Sequence, residues 1–413
     1  MADLAERSIG RSLAEYQARL KAEGRSFSGE LARRYADRWT GTPLKAALGI
    51  RTTLVAALHE HLAGQGLYNI ERVSISPITD PLAHDVEGVP VVGYKGVPYR
   101  TTHSMIYAKM LACFNPGVQG IFVDSPNIRL ELPDPRGLQR GKYLADFSQM
   151  DVELRRRCRI GEAMYREEPE AVSAILRAER DRALDFFEGM IVHAVTRLLE
   201  RNGADLAALG VRLEAPTRPF PRFAKDEAEA RHGAASLERD LGRETGSRFF
   251  WILGLFRENY DLVYPYEAGD AMRGIASERI FNYDLCAAPL PLAPAGAGSG
   301  PEDALEVLSG GLREWLYPAM VERLLDNGVI SERPRFGEDG ELENIEALEG
   351  YGPFLAAARL RGADGLPLFP ETFGGGLGIE RFLYAILRGP VIRRIEDLTF
   401  FGKNPDSGDL YLF

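Results

Sequence analysis

A chain of 413 residues, 45% of them hydrophobic, can bury a large core, which suggests one large catalytic domain with a small extension. The formal net charge of −10 weighs against DNA as a partner, and the lack of any apolar run approaching about eighteen residues argues against a membrane span or a membrane partner. A polar N-terminus and three widely separated cysteines, at positions 113, 158 and 286, favour a reducing, cytoplasmic location and no zinc site.

Residues 1–66 are predicted to form a helical N-terminal extension. Apolar residues recur there at three- and four-residue spacing. Gly41, Thr42 and Pro43 interrupt the pattern, and the glycines at 64 and 66 are predicted to end the last helix. The segment has no run of five short alternating strands, so we do not expect an oligonucleotide-binding barrel.

Residues 67–413 are predicted to form a catalytic domain of the α+β class. Short strands alternate with helices, and the hairpin patterns favour antiparallel pairing, which predicts an antiparallel sheet flanked by helices. A segment rich in Pro, Gly and Ser at 289–303 is predicted to be a surface loop. The main predicted helices in this domain lie at residues 155–202, 225–240, 312–327 and around 343–362.

Residues 127–154 are predicted to form a strand–loop–strand hairpin with one polar face. The first strand places Arg129 and Glu131 on the same side. The second strand does the same for Phe147, Gln149, Asp151 and Glu153. Such a face is too polar for a core and suits the side of a sheet that meets a ligand. A solvated sheet face is the alternative interpretation.

A run of glycines at 374, 375, 376 and 378 is predicted to open a helix that carries Arg381. Glycine allows a ligand to approach the backbone closely, and a helix N-terminus offers unpaired N–H groups and a positive dipole end. A guanidinium there could contact a phosphate or stack on a flat ring. A simple packing turn is the alternative, and the lack of a GxGxxG pattern argues against a dinucleotide site.

These two motifs, in this order, resemble the catalytic core of the class II aminoacyl-tRNA synthetases. IRLE at 128–131 with YLADFSQMDVEL at 143–154 is similar to the second motif of that class, and GGGLGIERF at 374–382 is similar to the third. Residues 54–77, ending at Pro77, loosely match the first motif. Within the class the resemblance is to the aspartyl/asparaginyl subgroup and its relative, the ammonia-dependent asparagine synthetase.

The resemblance implies an ATP site. Arg129 would bind the α-phosphate and the attacking carboxylate, because a guanidinium binds such groups with two parallel hydrogen bonds. Arg381, the second catalytic residue, would sandwich the adenine ring with Phe147. Glu131 would accept a hydrogen bond from the adenine amino group.

The resemblance also implies a Mg²⁺ ion on the phosphates of ATP. Glu306 would bind the ion, since a carboxylate oxygen suits this hard cation. Asp284 would be a second ligand, although the loop at 289–303 separates it from Glu306 by more than the family spacing. A turn or helix-cap acid is the alternative interpretation of Asp284.

An amino-acid site is implied by five further residues. Ser104 and Lys109 match the aspartyl spacing, in which the lysine binds a second carboxylate of the substrate. Gln149 and Asp151 would contact the substrate, with Asp151 binding its α-ammonium group, and Arg313 would bind a substrate carboxylate. A solvated helix lysine is the alternative for Lys109.

Two positions depart from the pattern of the subgroup. Ile106 stands where the synthetases have a glutamine that helps to hold the α-amino group, and Lys142 with Tyr143 stands where the subgroup often has Arg-His. His103 has no assignable acid–base role, so a structural role is expected for it. The residues that bind the amino group and the γ-phosphate are therefore expected to differ from those of the subgroup.

Three classes of function follow. The main prediction is an ATP-dependent, asparagine synthetase-like ligase that adenylates a carboxylate of aspartate or a related amino diacid and transfers it to ammonia or another amine, releasing AMP and pyrophosphate. An aspartyl/asparaginyl-tRNA synthetase is the alternative, which the acidic charge and the missing N-terminal barrel disfavour. A non-catalytic paralogue is the third class. The resemblance further implies a homodimer.

Overall fold

A strongly paired β-sheet lies at the centre of the computed structural model. The structure describes residues 8–82, 88–131, 142–234, 237–255, 260–267, 269, 274–288 and 304–402. The strands are β1 (Tyr68–Asn69), β2 (Ile75–Ser76), β3 (Val91–Tyr94), β4 (Val97–Thr101), β5 (Gly120–Ile128), β6 (Asp146–Arg155), β7 (Arg222–Ala224), β8 (Phe249–Leu253), β9 (Asn282–Ala287), β10 (Leu305–Leu312) and β11 (Thr372–Gly378).

Helices form the N-terminal region and flank the sheet. They are α1 (Ile9–Ala22), α2 (Ala32–Thr40), α3 (Thr42–Gly64), α4 (Ile106–Ala112), α5 (Glu162–Glu167), α6 (Pro169–Arg201), α7 (Gly203–Ala208), α8 (Lys225–His232), α9 (Leu237–Glu244), α10 (Tyr317–Asp326), α11 (Gly352–Ala358) and α12 (Ile379–Leu387). None of the helices in these described ranges is long and apolar enough to span a bilayer.

The main sheet has eight strands in the order β1-β5-β6-β11-β10-β9-β8-β7. The two pairs at its edges, β1 with β5 and β7 with β8, are parallel, and every other pair of neighbours is antiparallel. The predicted antiparallel sheet flanked by helices is confirmed, with a parallel pair at each edge. Strands β2, β4 and β3 form a separate antiparallel sheet.

The long helix α6 fills the core beneath the sheet. Its buried apolar residues recur at helical spacing and include Leu176, Leu184, Phe187 and Ile191. Each side chain of this size contributes about 2 kcal/mol when it leaves water. Leucines of α3 belong to the same hydrophobic cluster, so the predicted N-terminal helical region is present but its last helix packs into the main core. The predicted boundary between an N-terminal extension and a catalytic domain at residue 66 stays a prediction.

The predicted glycine run forms a strand rather than a loop before a helix. Gly374 to Gly378 make up most of β11, which pairs with β6 on one side and with β10 on the other. A Cβ atom at Gly376 would overlap the amide of Gln149, and one at Gly374 would overlap the carboxylate of Glu153. The glycines therefore leave room for side chains of β6 to lie across the sheet.

All four main predicted helices differ from the observed ones. The segment 155–202 becomes helical only at Glu162 and divides into α5 and α6, and the segment 225–240 contains α8 and the first residues of α9. The helix predicted at 312–327 begins only at Tyr317, because β10 continues to Leu312. The helix predicted around 343–362 divides into a 3₁₀ turn and α11, since Glu349 and Gly350 adopt positive φ angles of 51° and 97°. The predicted loop at 289–303 lies outside the described residues.

Candidate active site

One cavity of about 260 Å³ contains both of the predicted catalytic arginines. Arg129, which follows β5, and Arg381, in the first turn of α12, line it together with Phe147 of β6. Other lining residues from the sequence prediction are Ser104, Lys109, Gln149, Asp151, Glu306 and Arg313. Residues more than 250 positions apart in the chain thus meet because β6 and β11 are adjacent strands.

Arg129 is held at one wall of the cavity by the backbone and by an aromatic ring. Its Nε donates a hydrogen bond to the carbonyl oxygen of His103 at 3.0 Å. Its guanidinium carbon lies 5.3 Å from the centre of the Phe147 ring. His103 is itself buried, and its backbone N–H donates to Thr79 Oγ1 at 2.8 Å. The backbone carbonyl of His103 therefore positions Arg129, and the structural role expected for its side chain stays a prediction.

Arg381 lies across the cavity against a tyrosine and an acid. Its guanidinium carbon is 4.8 Å from the ring centre of Tyr143, and its Nη1 is 3.5 Å from Glu306 Oε1. Burial lowers the pKa of Arg381, but nearby negative charge, first that of Glu306, outweighs burial and raises the pKa above its ordinary value. The adjacent Glu380 accepts a hydrogen bond from the Ser148 backbone N–H at 2.9 Å, which fixes α12 to β6.

A buried ion pair lines the cavity four residues along β6 from Phe147, which on an extended strand is about 13 Å away and defines the other end of the cavity. Lys109 of α4 and Asp151 of β6 are 2% and 0% exposed, and Lys109 Nζ donates directly to Asp151 Oδ1. The second oxygen, Asp151 Oδ2, is buried and has no hydrogen-bond partner in the described part of the chain. A buried carboxylate oxygen of this kind favours a ligand with a donor group. Nearby, Gln149 Oε1 accepts from Asn127 Nδ2 at 3.1 Å.

Arg313 lines the cavity, but protein carboxylates already bind all three of its nitrogens. Its Nε and Nη2 donate to Glu153 at 3.2 and 3.3 Å, and its Nη1 donates to Asp261 Oδ1 at 2.6 Å. Burial lowers the pKa of Arg313, but the charges of Glu153 and Asp261 outweigh burial and raise the pKa above its ordinary value. Sequence reasoning predicted Arg313 as a carboxylate ligand and did not foresee Asp261.

Two predicted residues do not line the cavity. Asp284 is buried in β9 opposite Ser309 of β10, and Glu131 lies close enough for its charge to act on Arg381 and Tyr143. Within the described ranges no three acidic, histidine or cysteine side chains form a metal-binding group. Of the two predicted metal ligands, Glu306 is therefore the one that lines the cavity.

Asp80 and Tyr260 line the cavity but were not predicted from the sequence. Tyr260 Oη donates to Asp80 Oδ2 at 2.8 Å, and the Leu82 backbone N–H donates to Asp80 Oδ1 at 2.9 Å. These two residues are 180 positions apart and lie in no motif of the resemblance. Only the position of Asp80 three residues after Pro77 could have suggested that it accompanies the first motif.

We expect Lys109→Met to lower the free energy of unfolding by about 3 kcal/mol. This substitution would leave the carboxylate of Asp151 buried without its cation, and breaking a buried pair from one side has a cost of that size. The double substitution Lys109→Met with Asp151→Asn should recover most of the loss. Chemical denaturation measures both, and a single variant as stable as the native protein would contradict the burial of this pair.

The chain is similar in sequence to archaeal aspartate–tRNA(Asp) ligases. The ligase of Thermococcus kodakarensis is 26% identical over 220 residues, which cover 52% of this chain and 43% of that protein. The chain thus matches less than half the length of that relative. The ligase of Pyrococcus furiosus is 22% identical over 368 residues, which cover 87% of this chain and 68% of that protein. No protein-family model matches the chain.

Solved structures of asparaginyl-tRNA synthetases share the fold. The enzyme of Pyrococcus horikoshii complexed with asparaginyl-adenylate has a TM-score of 0.60 at 20% identity, over 89% of this chain and 70% of that one. The enzyme of Entamoeba histolytica has a TM-score of 0.57 at 16% identity, over 87% of this chain and 68% of that one.

The fold is that of a class II aminoacyl-tRNA synthetase core. Within that class, the similar proteins are aspartyl- and asparaginyl-tRNA synthetases, which confirms the resemblance to this subgroup. Because these proteins are tRNA ligases, the comparisons favour the tRNA-charging alternative over the amide-forming activity that we predicted first.

Proposed function

We propose that this chain uses ATP to adenylate an amino acid of the aspartate–asparagine type. The observation that carries the proposal is the single cavity in which Arg129 and Arg381 face the buried Lys109–Asp151 pair. The arginines suit a nucleotide at one end. Asp151 Oδ2, which has no hydrogen-bond partner among the described residues, suits the α-ammonium group of an amino acid at the other.

In the proposed reaction, a carboxylate oxygen of the amino acid attacks the α-phosphorus of ATP. The bond from that phosphorus to its bridging oxygen breaks, and pyrophosphate leaves with the electron pair. The product is a mixed anhydride, the aminoacyl-adenylate. Arg129 would neutralise charge on the α-phosphate and orient the attacking carboxylate, so that catalysis rests on positioning and electrostatic stabilisation.

The nucleotide end would hold the base between aromatic and cationic groups. Phe147 and Arg381 are proposed to bind the two faces of adenine, with Glu131 at its edge. Because Arg129 lies over the Phe147 ring, its guanidinium group would have to free that face of the ring if the base is to stack there, whereas Arg381 can keep its contact with Tyr143. The residues that would bind the base are therefore already in the cavity, but one of their present contacts would change on binding.

Magnesium fits this end of the cavity if the nucleotide supplies most of its ligands. Mg²⁺ is commonly bound by one or two carboxylates together with substrate phosphates and water. Glu306 would provide the carboxylate that faces the cavity, and Asp284, one strand away, the second. The ion would screen the charge of the leaving pyrophosphate.

We propose tRNA as the acceptor of the activated amino acid, on the support of the similar tRNA ligases. Ammonia or another small amine is the second candidate. The observation that favours it is the net charge of −10, since a protein that binds RNA through many phosphate contacts usually has a basic surface.

Pyrophosphate exchange into ATP, measured with a panel of the standard amino acids, tests this proposal. We expect exchange that depends on aspartate or asparagine. Product analysis with added tRNA or ammonium then separates the acceptors, since aminoacylated tRNA supports the first and a free amide supports the second. No exchange with any amino acid would refute adenylation.

We further propose that the protein is a homodimer. The three-stranded sheet leaves apolar residues in solvent, among them Val91 at 55%, Tyr94 at 56% and Val97 at 44% exposure. An apolar patch of this kind commonly marks an interface between proteins. Light scattering from the full chain would give the mass of the particle directly.

A further inference from the structure

Asp261 is the second carboxylate that binds Arg313, and its position affects which amino-acid side chain the cavity can accept. Asp261 lies behind Arg313, is fully buried, and is not itself part of the cavity lining. The two residues also pair through their backbones in an isolated β-bridge. The backbone bridge therefore holds the two residues side by side, and burial restricts their side chains to this contact.

Asp261 is held in place by a second partner. Asn282 of β9 donates from Nδ2 to Asp261 Oδ2 at 3.1 Å, while Asp261 Oδ1 accepts from Arg313. On its other side, Arg313 meets Glu153, which also accepts from Thr372 Oγ1 at 2.7 Å. The guanidinium thus lies between two oriented carboxylates.

This arrangement changes the charge that a ligand meets at this end of the cavity. With Glu153 alone, Arg313 would be part of a neutral pair, whereas Asp261 adds a second negative charge directly beside its guanidinium. The other cation, Lys109, is already neutralised by Asp151. In a buried site such charges act strongly because water screens them little. The acids Asp80, Asp151, Glu153 and Asp261 lie around this end of the cavity together with the cations Lys109, Arg313 and Arg323, the last of which donates from Nη1 to the backbone carbonyl of Asp261.

We propose that Asp261 is a specificity-determining positioning residue that acts through Arg313 and disfavours an acidic side chain relative to its amide. The inference rests on the proposed adenylation and concerns the choice of amino acid within it. By binding Nη1 and adding a negative charge, Asp261 reduces the capacity of Arg313 to bind a second carboxylate of the substrate. The amide side chain of asparagine carries no negative charge, so Asp261 weakens its binding less than it weakens the binding of aspartate.

The test compares aspartate with asparagine in pyrophosphate exchange, using the native protein and the Asp261→Asn variant. We expect the ratio of kcat/KM for aspartate to that for asparagine to rise about tenfold in the variant, which corresponds to ~1.4 kcal/mol. The KM for ATP should not change, because the nucleotide binds at the other end of the cavity. A general destabilisation of the fold would lower kcat/KM for both amino acids alike, so it would leave the ratio unchanged.

Two further variants make the test decisive. Asp261→Ser removes the charge with a smaller side chain, in case the asparagine variant folds poorly, and it should shift the ratio in the same direction. Glu188→Gln is the matched control, because Glu188 is also a fully buried carboxylate that contacts arginine, but it lies away from the cavity. Its ratio should equal the native one. Since each ratio comes from one preparation, it does not depend on the active fraction.

The possible outcomes distinguish a failure of the role inferred for Asp261 from a failure of the proposed adenylation. If the native protein catalyses exchange but neither Asp261 variant changes the ratio, the role of Asp261 is refuted and the adenylation stands. If the native protein catalyses no exchange with any amino acid, the proposed function itself is refuted, and the inference falls with it.

Discussion

Replacing Arg129 with alanine is expected to lower pyrophosphate exchange about a thousandfold. Removing one group that stabilises developing charge in a buried site costs an enzyme up to that factor. The fold should persist, since the change removes a hydrogen bond to the His103 carbonyl oxygen, worth about 1 kcal/mol, and a contact with the Phe147 ring. Exchange kinetics and thermal unfolding of the same preparation measure the two effects.

The control for this variant is Arg361→Ala. Arg361 is an exposed arginine that pairs with Glu162 on the surface, away from the cavity. It should keep native exchange and native stability, because exposed pairs contribute little. An Arg129→Ala protein that exchanges at the native rate would remove Arg129 from the proposed chemistry.

Gly374→Ala is expected to destabilise the protein by about 3 kcal/mol. The added methyl group would overlap the carboxylate of Glu153 and the backbone oxygen of Val152, and the backbone cannot yield as a flexible side chain can. Overpacking of a buried site typically costs about 1–3 kcal/mol. Displacing Glu153 would also disturb Arg313, so we expect the midpoint of chemical denaturation and the exchange activity to fall together.

Gly378→Ala provides the comparison on the same strand. At this position the nearest atom to an added Cβ is Arg381 Cβ, at 3.6 Å, which is an ordinary contact. Its stability should therefore stay close to native. Equal stability of the two variants would show that the glycines of β11 are not required by the side chains of β6.

The sequence predicted which residues meet in the cavity better than it predicted how they are held. Arg129, Phe147 and Arg381 lie in motifs whose order and spacing resemble a known core, so their convergence could be expected. The local pattern placed the glycine run in a turn that opens a helix, whereas only its last residue, Gly378, caps that helix. The run is a strand because its neighbours β6 and β10 need backbone without side chains between them, and local pattern carries no information about such neighbours.

Asp261 and Asp284 show a second limit. Asp261 reaches Arg313 across 52 positions, through a bridge outside any named strand, and no periodic pattern marks it. Asp284, for which the resemblance implies a role as a second metal ligand, lies on β9 next to the strand that carries Glu306, and that role stays a prediction. The register between strands decides which acids face the cavity, and the local sequence pattern does not contain that register.

If Arg129 and Arg381 bind one nucleotide in one cavity, both should be needed to bind a non-hydrolysable aminoacyl-adenylate analogue, the aspartyl or asparaginyl sulfamoyl adenosine. Isothermal titration calorimetry measures this binding. We expect saturable binding to the native protein at one site for each chain and a large loss of affinity in both Arg129→Ala and Arg381→Ala. Native affinity in either variant would show that the two arginines do not share a nucleotide.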